Sequence, residues 1–379
     1  MRRRDAHPFV FTLALTALAT FATGCRSTRF ACPTAGAPPP VAAPSDCPPP
    51  REYPWKNLVF EGGGIKGLAY GGALEVLSEQ KILPNITSVA GTSAGSITAM
   101  LVALRYSPEQ IRQLLVALNF GELEDGGSTG IFRLFRRYGF YRGDTYLDLM
   151  RCLVEGKTGQ KRATFRYLHD HGFLDLRVFS ADLNVGNVRE LSFRKSPDFE
   201  VALAVRMSGS FPLFFASIED QRKTFVDGGV VLNYPVNAFD QGSTLNPETL
   251  GFVLANTSTP PPVRKIDDLL TYGKGLFETL LASQVVGLEH DPANLERTAI
   301  LNDLGISTLD FNLTPKQKQE LIDQGAECTC LYLRDYAKWT DARRHPGHEV
   351  LLGAPPGTAV VPIRETGHCG SAFPTPPAP

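Results

Sequence analysis

Almost no net charge survives in this sequence. Its 38 lysines and arginines meet 39 aspartates and glutamates, a formal charge of −1 at pH 7. Such a chain has no overall basic field with which to draw in nucleic acid. Metal-binding signals are equally scarce. Cys328 and Cys330 stand two apart with no Cys-x-x-Cys partner and no matching histidine pair, which argues against zinc. No repeat of solenoid type is present. What remains is an ordinary globular composition, 43% hydrophobic and 20% charged over 379 residues.

The ends differ from the middle. Arg2, Arg3 and Arg4 precede a mostly apolar, charge-free run from Phe9 to Ala22. That run is too short to span a membrane comfortably and suits the hydrophobic region of a signal peptide. It closes on Ala22-Thr23-Gly24-Cys25. This tetrapeptide resembles a bacterial lipobox, with Cys25 the residue that would be lipidated; ordinary signal cleavage or another anchor are the alternatives. The expected location is the cell envelope, outer membrane or periplasm, or else the medium. Residues 26–53 are rich in Pro, Ala and Ser and read as a tether. The expected division is therefore a signal peptide over 1–25, a linker over 26–53, a catalytic domain over 54–350 and a loose tail over 351–379. If Cys25 carries lipid, six cysteines remain, an even number that permits disulfides in an exported protein.

Within the domain, strand and helix patterns alternate. Asn57 to Phe60 reads as a short buried strand, Gly62-Gly63-Gly64 breaks it, and residues 65–80 carry helical spacing. Thr87 to Ala90 forms a second strand that runs into Gly91-Thr92-Ser93-Ala94-Gly95 and a helix to about Leu104. Further elements are expected as a hairpin of Leu176–Leu183 with Val188–Phe193, strands at 224–226 and 251–255, and helices at 199–208, 266–288 and 315–325. Successive strand–turn–helix units imply a parallel sheet covered by helices. The expected fold is three-layer α/β/α with a mainly parallel central sheet and antiparallel additions.

Three short blocks carry chemistry. In Gly91-x-Ser93-x-Gly95 a sharp strand-to-helix turn lifts a serine hydroxyl off the sheet, and small neighbours avoid clashes. A tight structural turn is the bland alternative. Gly62-Gly63-Gly64-Ile65-Lys66-Gly67 ends a strand before a helix, so its N–H groups form an anion nest. It lacks the Gly-Lys-Ser/Thr of a phosphate loop and the spacing of a dinucleotide site. An oxyanion hole is the better reading, with Lys66 orienting the loop, attracting an anionic head group, or standing as a solvated charge. Asp227-Gly228-Gly229 ends a short strand and, taken alone, reads as a turn.

Taken in order, the glycine loop, the serine elbow and the Asp-Gly-Gly block resemble the patatin-like phospholipase family, over roughly residues 56 to 260. Weaker likeness lies in Tyr141–Asp144, Thr164-Phe165 and Ser208–Pro212. The resemblance implies Ser93 as nucleophile, Asp227 as its base without histidine, and Gly62, Gly63 and Gly64 as oxyanion loop. Lys66, Gly67, Gly91, Gly95, Gly228 and Gly229 complete the motifs. It also implies an acyl-enzyme, phospholipid or lysophospholipid substrates at a membrane surface, and no metal, calcium or other cofactor. Two rivals stay open: an α/β-hydrolase-type esterase using His290, and a catalytically silent lipid-binding lipoprotein. Between Gly121 and Tyr146, aromatics interleave with Arg133, Arg136 and Arg137 behind a Gly126-Gly127-Ser128 hinge. This segment is either a lipid-facing lid or a surface folded onto the core.

Overall fold

In the computed structural model the described residues are 44 and 47–344, apart from 118–119, 127–128, 257–262, 264 and 290. The expected signal segment with Cys25, most of the linker, the tail 351–379, His290 and two hinge residues lie outside them.

The described elements run β1 (Asn57–Phe60), α1 (Ala69–Glu79), β2 (Ser88–Thr92), α2 (Ala94–Ala103), α3 (Pro108–Ala117), α4 (Gly130–Arg137), β3 (Gly139–Tyr141) and α5 (Asp144–Thr158). Then come α6 (Phe165–Asp170), β4 (Asp175–Asp182), β5 (Asn187–Ser192), α7 (Val201–Ser208), β6 (Leu213–Phe215), β7 (Ile218–Asp220) and β8 (Lys223–Asp227). The last are β9 (Thr249–Ala255), α8 (Leu269–Glu289), α9 (Pro292–Glu296), β10 (Thr298–Asn302) and α10 (Pro315–Arg344).

One sheet organises the chain, in the order β10-β9-β1-β2-β4-β8-β7 with β5 also on β4. The pairs from β10 through β4 are all parallel. Every residue of β1 and β9 is buried, as expected for strands covered on both faces. Phe60 stacks on Phe252 at 5.5 Å and meets Tyr70 of α1 on one face. On the other face Val59 clusters with Ala90, Phe179 and Phe239. The result is the expected three-layer α/β/α architecture with a mostly parallel sheet.

β4 does the positioning. β5 occupies one edge of β4 from Arg177 to Asp182, so β2 and β8 must share the other. β2 runs along it until Thr92 pairs with Phe179, and β8 takes over where Asp227 pairs with Ser180. Two strands far apart in sequence thus end at adjacent residues of one template.

Two boundaries differ from the sequence expectation. The helix expected at 315–325 continues to Arg344, because the turns after residue 325 bury Cys328, Cys330 and Leu333. The folded part also begins before residue 54. Cys47 is disulfide-bonded to Cys330, Arg51 makes a two-point contact with Asp341, and Pro48 O accepts from Gln80. Tyr53 then stacks on Trp55, which packs against Tyr336 of α10.

Candidate active site

At the carboxyl end of β1 the chain turns at Glu61 and enters the glycine loop. Gly62 N–H donates to Asn233 O at 3.0 Å, and Gly62 O accepts from Asn233 Nδ2 at 3.0 Å. This clamp fixes the loop's entrance. Gly64 sits at φ +57°, and a Cβ there would fall 2.0 Å from Thr308 O. Only glycine fits both the conformation and the space. With Gly62 N–H committed to Asn233, the Gly63 and Gly64 amides are the ones with no acceptor among the described residues. Lys66 is not a solvated charge: its Nζ lies 2.5 Å from the buried Asp303 carboxylate, tying the loop to the segment after β10.

Ser93 stands at the carboxyl end of the neighbouring strand. Its backbone has φ 51° and ψ −125°, a region L-residues rarely occupy. Three contacts hold that strain. Ser93 N–H donates to Ser208 Oγ at 2.8 Å, and Ser208 Oγ donates to Phe179 O at 2.5 Å. Ser93 O accepts from Ser96 Oγ at 2.6 Å. Gly95 allows α2 to start against β1, since a Cβ there would lie 2.3 Å from Phe60 O. The N-terminus of α2 therefore points at the serine, with its positive dipole end towards any developing negative charge.

β8 delivers Asp227 to the same point. Ser93 Oγ donates to Asp227 Oδ2 at 2.6 Å, and Gly229 N–H donates to Asp227 Oδ1 at 2.8 Å. The aspartate thus does cap a turn, as the bland reading had it, and touches the serine as well. Only 1% of it is exposed. Burial pushes its carboxyl up to about 7, against the opposing pull of its bonds from Ser93 and Gly229.

Ser93, Asp227 and the glycine loop line one cleft. Ile97, Phe211, Phe215, Phe277, Leu281 and Phe311 make it apolar, and among the described residues Asp227 is its one charged lining residue. Phe211 meets Phe277 edge-on at 4.3 Å. The region after residue 260, unrecognised in the sequence, supplies one wall. Inner residues of α8 line the cleft, and Glu278 accepts from Ser307 Oγ and Thr308 N–H, holding the 307–311 loop beside them. Gln284 accepts from Asn233 N–H and donates to Gly229 O, both at 2.8 Å.

Sequence reasoning passed over Glu61 and Asn233. Glu61 is buried and accepts from Asn233 Nδ2 at 2.9 Å and from Leu254 N–H at 2.7 Å. Burial raises its carboxyl to about 7. An acid directly after an apolar strand and before three glycines was the available signal. Asn233 lies six residues past Asp227, before Tyr234-Pro235, where polarity alone says little. Of the histidines, His169 stacks on Phe193 and His171 on Tyr167, and neither lines the cleft.

The model of the family described as patatin-like phospholipase matches residues 58–240. YqhO of Bacillus subtilis (strain 168), an uncharacterized protein, is 31% identical over 300 residues, 74% of this chain and 98% of its own length. The probable lipid hydrolase 463L of invertebrate iridescent virus 6 is 24% identical, over 69% of this chain and 87% of its own. Among solved structures, VipD from Legionella pneumophila superposes with a TM-score of 0.53 at 18% identity, covering 75% of this chain and 67% of VipD. That likeness shows a common fold. With family model, relatives and sheet architecture in agreement, this chain belongs to the patatin-like phospholipase family and is a lipid acyl hydrolase.

Proposed function

We propose that this protein cleaves fatty-acyl esters of membrane phospholipid or lysophospholipid through a Ser93–Asp227 dyad. The carrying observation is the 2.6 Å bond from Ser93 Oγ to a buried carboxylate in an apolar cleft. Ser93 Oγ attacks the ester carbonyl carbon while Asp227 Oδ2 takes its proton. The carbonyl oxygen becomes an oxyanion, met by the Gly63 and Gly64 N–H groups. As the tetrahedral species collapses, the C–O bond to the alcohol breaks. Asp227 returns the proton to that leaving oxygen, and the acyl group stays on Ser93. Water repeats the sequence, with Asp227 as base, and frees the fatty acid.

A carboxylate is a weak base, so the site suits an ester, whose alkoxide departs more readily than an amine. Its raised pKa makes Asp227 a better base near neutral pH. The uncharged walls fit an acyl chain. Cys25, in its lipobox-like setting, would hold the domain in the cell envelope, and globomycin-sensitive processing tests that point separately. Fatty-acid release from phosphatidylcholine and its lyso form tests the reaction. Wild type is expected to release it, with Ser93→Ala at background and Asp227→Asn reduced by at least ~1,000-fold. Full activity in Asp227→Asn with loss in His290→Ala would favour the α/β-hydrolase reading instead.

A further inference from the structure

Two helices beside the cleft turn apolar faces to the solvent. Phe132 and Phe135 of α4 are 79% and 78% exposed, and Ile131 and Tyr138 are exposed with them. At about 100° per residue Ile131, Phe135 and Phe132 fill one arc of the helix, with exposed Arg136 at its margin and Tyr138 just past the helix end. Arg133, on the inward side, is held by Gly126 O, Phe140 O and Thr129 Oγ1. An amphipathic helix of a globular protein ordinarily buries its apolar stripe. Here the stripe points outward. On α8, Leu269, Tyr272, Leu276 and Leu280 recur at spacings of three and four residues and are all exposed. Phe277 and Leu281, about 100° round α8 from Leu276 and Leu280, supply cleft wall.

The two stripes are joined. β3 follows α4 directly and pairs with β6, Gly139 opposite Leu213. Leu213 in turn lies against α8, where a Cβ on Gly273 would come within 2.6 Å of Leu213 Cδ1. Phe211 and Phe215, at either end of this connection, line the cleft. The charge is of one sign on the α4 side, whereas exposed Asp267 and Asp268 precede Leu269 on the α8 side. Residues 129–142 contain Arg133, Arg136, Arg137 and Arg142 and no acid. Of the acids before it, Asp125 accepts from the N–H groups of Gly143, Asp144 and Thr145, and Glu124 from Tyr141, while Glu122 is exposed further back.

We propose that the outer faces of α4 and α8, joined by the β3–β6 ribbon, form a surface that docks on bilayers bearing anionic headgroups. The proposal rests on the reading that the substrate is a membrane lipid. An apolar arc with exposed Arg136 at its margin, on a helix that also exposes Arg137, suits the boundary between headgroups and acyl chains. Self-association about a two-fold axis would set the arginine-bearing face against itself. Among the described residues no helix is long and apolar enough to cross a membrane.

Flotation with vesicles of equimolar phosphatidylcholine and phosphatidylglycerol tests this on the chain from residue 26 onward, which lacks both Cys25 and the apolar run Phe9–Ala22. Phe132→Ser/Phe135→Ser should weaken binding about 100-fold, the equivalent of ~3 kcal/mol. Arg136→Gln/Arg137→Gln should weaken it about 30-fold, and only on anionic vesicles at low salt. Hydrolysis of a soluble short-chain nitrophenyl ester should be unchanged in both, and Ser93→Ala should bind vesicles normally. Unaltered vesicle binding in both double variants would overturn the proposal, as would a stable dimer that the Phe132→Ser/Phe135→Ser change dissolves. Failure of wild type to hydrolyse the soluble ester would instead count against the reaction proposed for Ser93.

Discussion

Acidity at Asp227 gives the most exacting prediction. A carboxylate with its ordinary pKa near 4 would be ionised throughout the neutral range, and kcat/KM would be flat from about pH 5 upward. Burial instead holds Asp227 at about 7. The base then loses about tenfold in its active form for each pH unit below that value. At about pH 5 the rate on a soluble ester should be roughly 1% of its plateau, with the plateau reached near pH 8. Glu61 has a similar acidity, so Glu61→Gln is the control, expected to lower the plateau but keep the inflection. Stability should move the opposite way. Because the folded pKa of Asp227 lies above its unfolded value, its contribution to stability is full below about pH 4 and is lost as pH rises through about 7. The shift of about 3 units sets a ceiling of ~4 kcal/mol on that loss. Asp227→Asn should therefore be more heat-stable than wild type at about pH 8.5 and show little or no advantage at about pH 4. A flat rate profile down to about pH 5, or an Asp227→Asn variant destabilised equally at both pH values, would refute the reasoning.

Other substitutions probe the supports of the site. Ser208→Ala removes the acceptor for Ser93 N–H and the donor to Phe179 O; it should cost ~2–4 kcal/mol in chemical denaturation and lower kcat ~10–100-fold with little change in KM. Asn233→Ala removes the side-chain half of the Gly62 clamp, together with the bond to Glu61, and should lower kcat/KM on a soluble ester about 100-fold. Asn233→Asp should be worse, because it sets a second carboxylate against buried Glu61. Cys330→Ser opens a bridge that spans 283 positions and should lower stability by up to ~5 kcal/mol in thermal unfolding. Neither cysteine lines the cleft, so soluble-ester activity below the transition should stay intact.

How far the sequence reached depended on distance along the chain. The β1–glycine-loop and β2–serine-elbow units are local, and glycine punctuation between an apolar run and a helical period marked both. Asp227 was different. Alone it read as a turn, and only the resemblance coupled it to Ser93. The physical reason they meet is β4, whose Phe179 and Ser180 pair with the ends of β2 and β8. No periodicity in either strand encodes that. Glu61 and Asn233 stayed hidden for a related reason, since a polar residue reveals itself as a buried clamp only once its partners are in place. α10 was cut short at 325 because its later turns mix Cys, Thr and Tyr, and their burial against the rest of the fold comes from tertiary packing.

The central claim is that Ser93 is the acylated residue and that Asp227 activates it. Incubating the folded protein with a fluorophosphonate and mapping the adduct by peptide mass spectrometry tests this directly. The expected result is one adduct on Ser93, absent in Ser93→Ala and forming at least ~1,000-fold more slowly in Asp227→Asn. An adduct on another residue, or unchanged labelling of Ser93 in Asp227→Asn, would contradict the account.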